Sequence, residues 1–217
     1  KITHPMEALE YNKKFIEQIT GAKVNQTQGT LGTPFIWGAT NSWGGVRTEN
    51  FRYNQLEYAD DIEPERIDEI ATETMGPYHM AGCFGCQVHC RAQYKIPSGK
   101  YKGKYDEGPE YTSQGAFGAE VGCRSAETVL AGNHLVDQFG MDNLETGSMI
   151  AWAMECFEEG LITKEQTDGI DLSFGNDEAV LEMIERICYR KGWLGDVLAK
   201  GGIPASKNVG KDSFDYL

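Results

Sequence analysis

The chain lacks any run of residues with the apolar length needed to cross a bilayer, which argues against membrane insertion. Basic residues are scarce: 20 Lys and Arg stand against 33 Asp and Glu, a formal net charge of −13. Nucleic acid and anionic membrane surfaces both reward a basic face, so neither is expected as a partner. No internal repeat and no low-complexity linker divides the chain. Its first residue is Lys1 rather than Met, and neither a signal nor a transit peptide follows. The tail "KNVGKDSFDYL" has no obvious closing element, so a piece of a longer protein is expected.

The missing secretion signal also governs the six cysteines. A disulfide framework belongs to short secreted chains. Here the chain is long, and three of its cysteines crowd into "AGCFGCQVHC", residues 81–90. That pattern reads as metal binding in a reducing, cytoplasmic compartment.

What is present describes a globular protein: 217 residues, 40% hydrophobic and 11% aromatic, enough for one sizeable core or two small ones. Helical signals dominate. In "THPMEALEYNKKFIEQITG" Thr3 can cap, Pro5 suits the first turn, Gly21 can end the helix, and Leu9, Ile16 and Ile19 form an apolar stripe. "EPERIDEIATETM" opens with Pro64 and turns Ile67 and Ile70 inward. "SAETVLAGNHLVDQFG" starts at Ser125 and stops at Gly140. In "NLETGSMIAWAMECFEEG" and just beyond, Ile150, Met154, Phe157 and Leu161 share one helical face. "NDEAVLEMIERICYRKG" has Asn176 as cap, Asp177 and Glu178 in the first turn, Arg186, Arg190 and Lys191 near the last, and Gly192 to close it.

Two stretches lack helical pattern. "TQGTLGTPFIWGATNSWGGVRTENF" and "YKIPSGKYKGKYDEGPEYTSQGAFGAEVG" read as long loops with short strands at most. Loops of that length inside a compact domain are usually functional. The expected fold is mainly α, a helical domain with long loops that handle ligands.

Cys156 and Cys188 lie at apolar spacing on helices and read as small buried hydrophobes, as does Cys123. Cys83, Cys86 and Cys90 have the C-x2-C-x3-C spacing that brings thiolates to a metal. Structural zinc wants a second Cys or His pair, and none exists here. Iron–sulfur clusters commonly use a compact group plus one distant cysteine. His79 and His89 could ligate, but a lone His is more often a plain polar residue. A cluster, a zinc site and a chance spacing all remain open on the cysteines alone.

At this motif the sequence resembles the tungsten-containing aldehyde:ferredoxin oxidoreductase family. The resemblance extends to "GPEY", Gly108 to Tyr111, for the family's P-E-Y element, and to "DQFGMD", Asp137 to Asp142, for its D-x-x-G-x-D element. It includes the run "NLETGSMIAWAMECFEEGLIT", the helical pair in "GNDEAVLEMIERICYRKGWLGDVLAKG", and the upstream "TQGTLGT" and "VRTENF". It therefore covers nearly the whole chain in order.

The resemblance implies a three-domain enzyme of which residues 1–217 are the middle, helical domain, with a β-rich N-terminal domain and a C-terminal helical domain outside the chain. It implies a [4Fe–4S] cluster on Cys83, Cys86 and Cys90, its fourth cysteine lying beyond Leu217. It implies a tungsten (or molybdenum) ion held by two pterins, one of them contacted by Asp137, Gly140, Met141 and Asp142. The implied reaction interconverts aldehydes and carboxylic acids, with ferredoxin or electron-transfer subunits taking the electrons. Many members read P-E-Y-E, with a second carboxylate near the metal. Here the sequence is "PEYTS", so Thr112 stands in that place and Glu110 is the remaining candidate acid–base residue. That departure brings in a second branch of the family, the tungsten subunit of class II benzoyl-coenzyme A reductase, whose substrate is an acyl-coenzyme A. A non-catalytic helical module with a structural zinc is the reading from another class. The isolated 217-residue piece is expected to be inactive.

Overall fold

The computed structural model describes residues 2–217. As expected, the fold is mainly α. Its helices are α1 (Pro5–Gly21), α2 (Lys23–Leu31), α3 (Trp37–Ser42), α4 (Pro64–Met75), α5 (Tyr111–Gln114), α6 (Ala126–Phe139), α7 (Asn143–Glu158), α8 (Asp177–Tyr189), α9 (Gly192–Leu198) and α10 (Gly202–Val209). One antiparallel sheet joins them, β1 (Met80–Ala81), β2 (Arg91–Lys95) and β3 (Tyr105–Glu107), in the order β1-β2-β3.

The centre is α6 and α7. Each is buried nearly all round: α6 from Thr128 to Val136, α7 from Met149 to Cys156. The face Ile150–Met154 lies in the core as expected, but α7 ends at Glu158, so Leu161 packs from the following turn. A helix apolar on every side needs neighbours on every side, and α8, α9 and α10 supply them around Trp152. Trp152 donates its indole N–H to the Ser213 carbonyl at 2.9 Å. Cys123 and Cys156 are fully buried here, and burial pushes the Cys156 thiol up to about 12, so both are packing residues.

The caps read from the sequence are present. Ser125 accepts from the Thr128 N–H at 3.1 Å, and Asn176 accepts from the Ala179 N–H at 3.2 Å. Gly140 is left-handed, and the Met141 N–H returns to the Val136 carbonyl at 2.9 Å, a Schellman turn. Two terminal expectations are corrected. Arg190, not Gly192, takes the left-handed position that closes α8, and Gly192 opens α9. At α1 the cap position is His4 rather than Thr3, while the helix ends at Gly21 as expected.

The stripe Leu9, Ile16 and Ile19 is also corrected: α1 buries none of its residues against this chain. The first loop stretch is mostly helical, since α2, a 3-10 turn at Thr33–Ile36 and α3 run through it. Thr27 and Thr30 bond back to the Lys23 and Gln26 carbonyls, which satisfies inside a helix the hydroxyls that elsewhere favour turns. The second stretch holds β2 and β3, but then α5 and a π-helical turn at Gly115–Ala119.

Candidate functional site

The small sheet positions the site. Ala81 pairs with Arg91 across β1 and β2, so residues 82–90 form the connection between two paired strands. All three motif cysteines lie on that connection. On the other side of β2, Gln93 pairs with Glu107, and β3 runs directly into Gly108, Pro109 and Glu110. The two pairings of β2 therefore place the cysteine loop beside the P-E-Y element. The layer behind is α4, with Ile67, Ile70 and Ala71 packed on Tyr94 and Ile96.

Within the loop, the Cys86 N–H donates to the Cys83 carbonyl at 2.9 Å, and the Val88 N–H points at Cys86 Sγ at 3.5 Å. Cys83 is exposed; Cys86 and Cys90 are half-buried. Burial raises the Cys90 thiol, and the nearby Glu110 carboxylate and the other two thiols add to that rise. Helix α2 supports the loop from below. A Cβ on Gly29 would meet the Val88 carbonyl at 2.6 Å, and one on Gly32 the Cys90 carbonyl at 3.0 Å. Among the described residues, no three His, Cys, Asp or Glu side chains converge as a single metal ion requires. His79 is not a free ligand: its ring nitrogens engage the Gly76 carbonyl and Asp68, both at 3.0 Å.

Next to the loop opens a polar cavity of about 410 Å³, lined by Arg91, Asp106, Glu107, Glu110, Asn133 and Asp137 among others. Its floor is one hydrogen-bonded network. Asn133 accepts from Ser113 at 2.7 Å and donates to the Tyr94 hydroxyl at 3.1 Å, the Glu107 carbonyl at 3.2 Å and Asp137 at 3.3 Å. His134 pairs with Asp106 at 2.7 Å. At the rim, Thr33 donates to the Glu110 carboxylate and accepts from the Tyr111 N–H at 2.8 Å. A larger cavity of about 740 Å³ lies between residues 98–101 and the starts of α6 and α8, and none of the motif residues lines it.

The sequence-derived candidates separate in space. Asp137 and Glu110 line the polar cavity. Gly140 and Met141 form the turn after α6, and Asp142 caps α7 by accepting from the Glu145 N–H at 2.8 Å. Thr112 lines a different, 140 Å³ cavity with Trp37, Arg47 and Glu120. Glu120 is buried against Arg47, and that burial raises its carboxyl despite the pairing.

A family model described as "Aldehyde ferredoxin oxidoreductase, domains 2 & 3" matches residues 10–217. The chain belongs to the aldehyde ferredoxin oxidoreductase family. It is 34% identical over 174 residues, 79% of this chain and 27% of the relative, to the tungsten-containing aldehyde ferredoxin oxidoreductase of Pyrococcus abyssi. The Thermococcus kodakarensis enzyme of the same description is 32% identical over 184 residues, 84% of this chain and 29% of that protein. An aliphatic sulfonate oxidoreductase, WOR-like subunit, of Pyrococcus furiosus is 30% identical over 126 residues, 58% of this chain and 20% of its own length. Among solved structures, the fold resembles the active site complex BamBC of benzoyl coenzyme A reductase, with a TM-score of 0.62 and 18% identity over 78% of this chain and 24% of that one.

Within this family member, motif reading passed over the cavity residues Arg91, Asp106 and Asn133, and His134, which pairs with Asp106. A signal existed for two of them. Asn133 and His134 interrupt the apolar middle of "VLAGNHLVD", where a polar pair needs buried partners. Arg91 adjoins Cys90 in sequence but has no pattern of its own.

Partial desolvation and the neighbouring Asp106 raise the Asp137 carboxyl above its usual range, against the opposing pull of His134 and Asn133. A carboxyl raised in the folded state binds its proton more tightly there than in the unfolded chain. Stability from this group is therefore lost as pH rises through the carboxylate range. D137N removes the dependence. Its melting temperature is expected to gain on the wild type as pH goes from about 4 to about 7. A constant difference across that window, read by thermal melts, would contradict the assignment.

Proposed function

We propose that this chain is the middle domain of a tungsten-dependent iron–sulfur oxidoreductase that interconverts aldehydes and carboxylic acids, with ferredoxin as electron carrier. One observation carries the reading: strand β2, paired on one side with β1 and on the other with β3, joins the three-cysteine loop to the polar cavity of Glu110 and Asp137. The chain spans 27% and 29% of the tungsten-containing relatives described above, so the whole reaction draws on parts outside it.

The residues fit the groups expected there. In a [4Fe–4S] cluster each thiolate binds a different iron, so its cysteines surround the cluster and do not converge on one point. The loop offers three thiols, spread along one connection, with a backbone N–H aimed at one sulfur. Zinc would need its ligands gathered in one tetrahedron, and among the described residues no such group converges. The cavity offers carboxylate and amide acceptors for the N–H groups of a pterin, with Asp137 on its floor.

A tungsten (or molybdenum) bis-pterin held at this cavity would supply the two-electron chemistry of aldehyde plus water giving a carboxylic acid, two protons and two electrons, and a cluster on the loop would carry those electrons one at a time. The chain's own residues hold these groups and handle protons. Glu110, with Thr33 donating to it, is the carboxylate placed to accept a proton in the cavity. Thr112 cannot act as a base near neutral pH, and it faces the other cavity.

That departure supports a second reading within the family, the tungsten subunit of a class II benzoyl-coenzyme A reductase. Anaerobic metal analysis of the full-length parent, with an electron paramagnetic resonance spectrum of the reduced form, tests the shared cofactors. About four iron with one tungsten or molybdenum per chain is expected. Zinc without iron would mean a structural knuckle. Aldehydes and aryl-coenzyme A thioesters, assayed side by side with viologen dyes, then separate the two reactions.

A further inference from the structure

Arg91 directly follows the third motif cysteine, and its guanidinium bridges two parts of the site. Nη2 donates to the carbonyl of Gly82, the residue before Cys83, at 3.2 Å. Nη1 pairs with Glu107 Oε2 at 2.6 Å. The first contact closes the cysteine loop across its mouth. The second reaches strand β3, one step before Gly108-Pro109-Glu110. Alternation along the strands explains the pair. Gln93 faces Glu107, so Arg91, two residues back, is the diagonal neighbour on the same face.

The pair is well placed to act electrostatically. Its side chains are only 35% and 29% exposed, so solvent screens them incompletely. Arg91 Nε is buried and finds no partner. Arg91 and Glu107 also both line the polar cavity, together with Glu110 and Asp137. A fixed cation and a fixed anion thus stand at the cavity wall where it meets the cysteine loop, near enough to each other to cancel.

We infer that the Arg91–Glu107 pair sets the reduction potential of the group held by Cys83, Cys86 and Cys90, with Arg91 also positioning the loop; this rests on the cluster reading above. Reduction adds one negative charge to a cluster. A nearby cation stabilises the reduced form and a nearby anion opposes it, and net charge around the cluster is one of the factors that set its potential. Removing Arg91 leaves Glu107 uncompensated and makes reduction harder. Removing the Glu107 charge leaves Arg91 uncompensated and makes it easier. Two substitutions at one contact therefore act in opposite directions, which a loss of loop order cannot produce.

The test is a redox titration of the full-length parent, followed by electron paramagnetic resonance after iron content has been measured. R91Q is expected to shift the one-electron equilibrium about tenfold toward the oxidised form, about 59 mV lower. E107Q is expected to shift it by a similar factor the other way, and R91K to stay near the wild type. Unchanged potentials in R91Q and E107Q, or shifts of the same sign, overturn the inference. If R91Q fails to retain iron, E107Q decides alone: a potential at or below the wild type sinks the idea. Wild-type parent without iron would instead sink the cluster reading itself, and the iron analysis shows which of the two has failed.

Discussion

Valine at Gly147 is expected to lower the melting temperature of the chain by about 6–12 °C, a cost of about 3 kcal/mol. Gly147 lies in the buried middle of α7, where the helix crosses the π-helical turn at Gly115–Ala119. A Cβ there would stand 2.5 Å from Ala116 Cβ and 2.8 Å from both its Cα and its carbonyl oxygen. Backbone cannot rotate aside as a side chain can, so the helix or the turn must move as a whole. On the neighbouring helix, Gly132 meets the Phe117 ring in the same way, its Cβ position 2.7 Å from the nearest ring carbon. The turn is thus pressed into α6 and α7 at two glycines. It precedes the helices that carry the Asp137–Asp142 motif and follows Glu110 and Thr112, so a displacement there also disturbs the site. Gly115 is the contrast. It has helical backbone angles and nothing within 4 Å of its Cβ position. G115A is expected to be neutral or to stabilise by about 0.4–1 kcal/mol. Equal melting temperatures for G147V and the wild type would mean that the two elements do not meet as described.

Serine at Cys86 is expected to reduce the iron of the full-length parent from about four per chain to near zero. The thiolate is the ligand, and a serine hydroxyl stays protonated at any pH the protein tolerates. Cys86 is also the cysteine whose sulfur receives a backbone N–H, from Val88, while its own N–H holds the turn to Cys83. If these cysteines hold the proposed cluster, loss of the sulfur removes one of its ligands, and the flanking Cys83 and Cys90 cannot replace it. C188S is the control, because Cys188 lies on α8, outside the loop. Iron content by colorimetry, with the visible absorption of the cluster, reads both. Full iron in C86S would detach the cluster from these cysteines.

Much of the fold was legible because its signals are local. Ser125, Asn176 and Gly140 act within four residues of themselves, through side-chain oxygens and a left-handed backbone, and all three stand where their sequence places them. Ile67 and Ile70 pointed inward because α4 has one apolar face and one partner layer. The failures have the opposite character. Helix α2 (KVNQTQGTL) holds Val, Asn, two Thr and a Gly, all of low helix preference, and it forms where Gly29 and Gly32 let it lie against the cysteine loop. At Arg190 a non-glycine residue closes α8, because the chain must turn at once into α9. Of the stripe Leu9, Ile16 and Ile19, the first two stay exposed and Ile19 is only half-buried among the described residues.

The sequence by itself determined the mainly helical architecture, the family through its ordered motifs, and the three cysteines, because spacing and motif order are properties of the chain alone. Only the tertiary structure decided which motif residues meet. It brought Glu110 and Asp137 to one cavity, moved Thr112 to another, and put Gly140, Met141 and Asp142 to work at the α6–α7 junction. It also brought Arg91 and Asn133 into the cavity, with His134 paired to Asp106. The physical reason is strand pairing. The registers Ala81 with Arg91 and Gln93 with Glu107 join segments 10 and 14 residues apart in sequence, and no periodicity within either segment encodes that pairing.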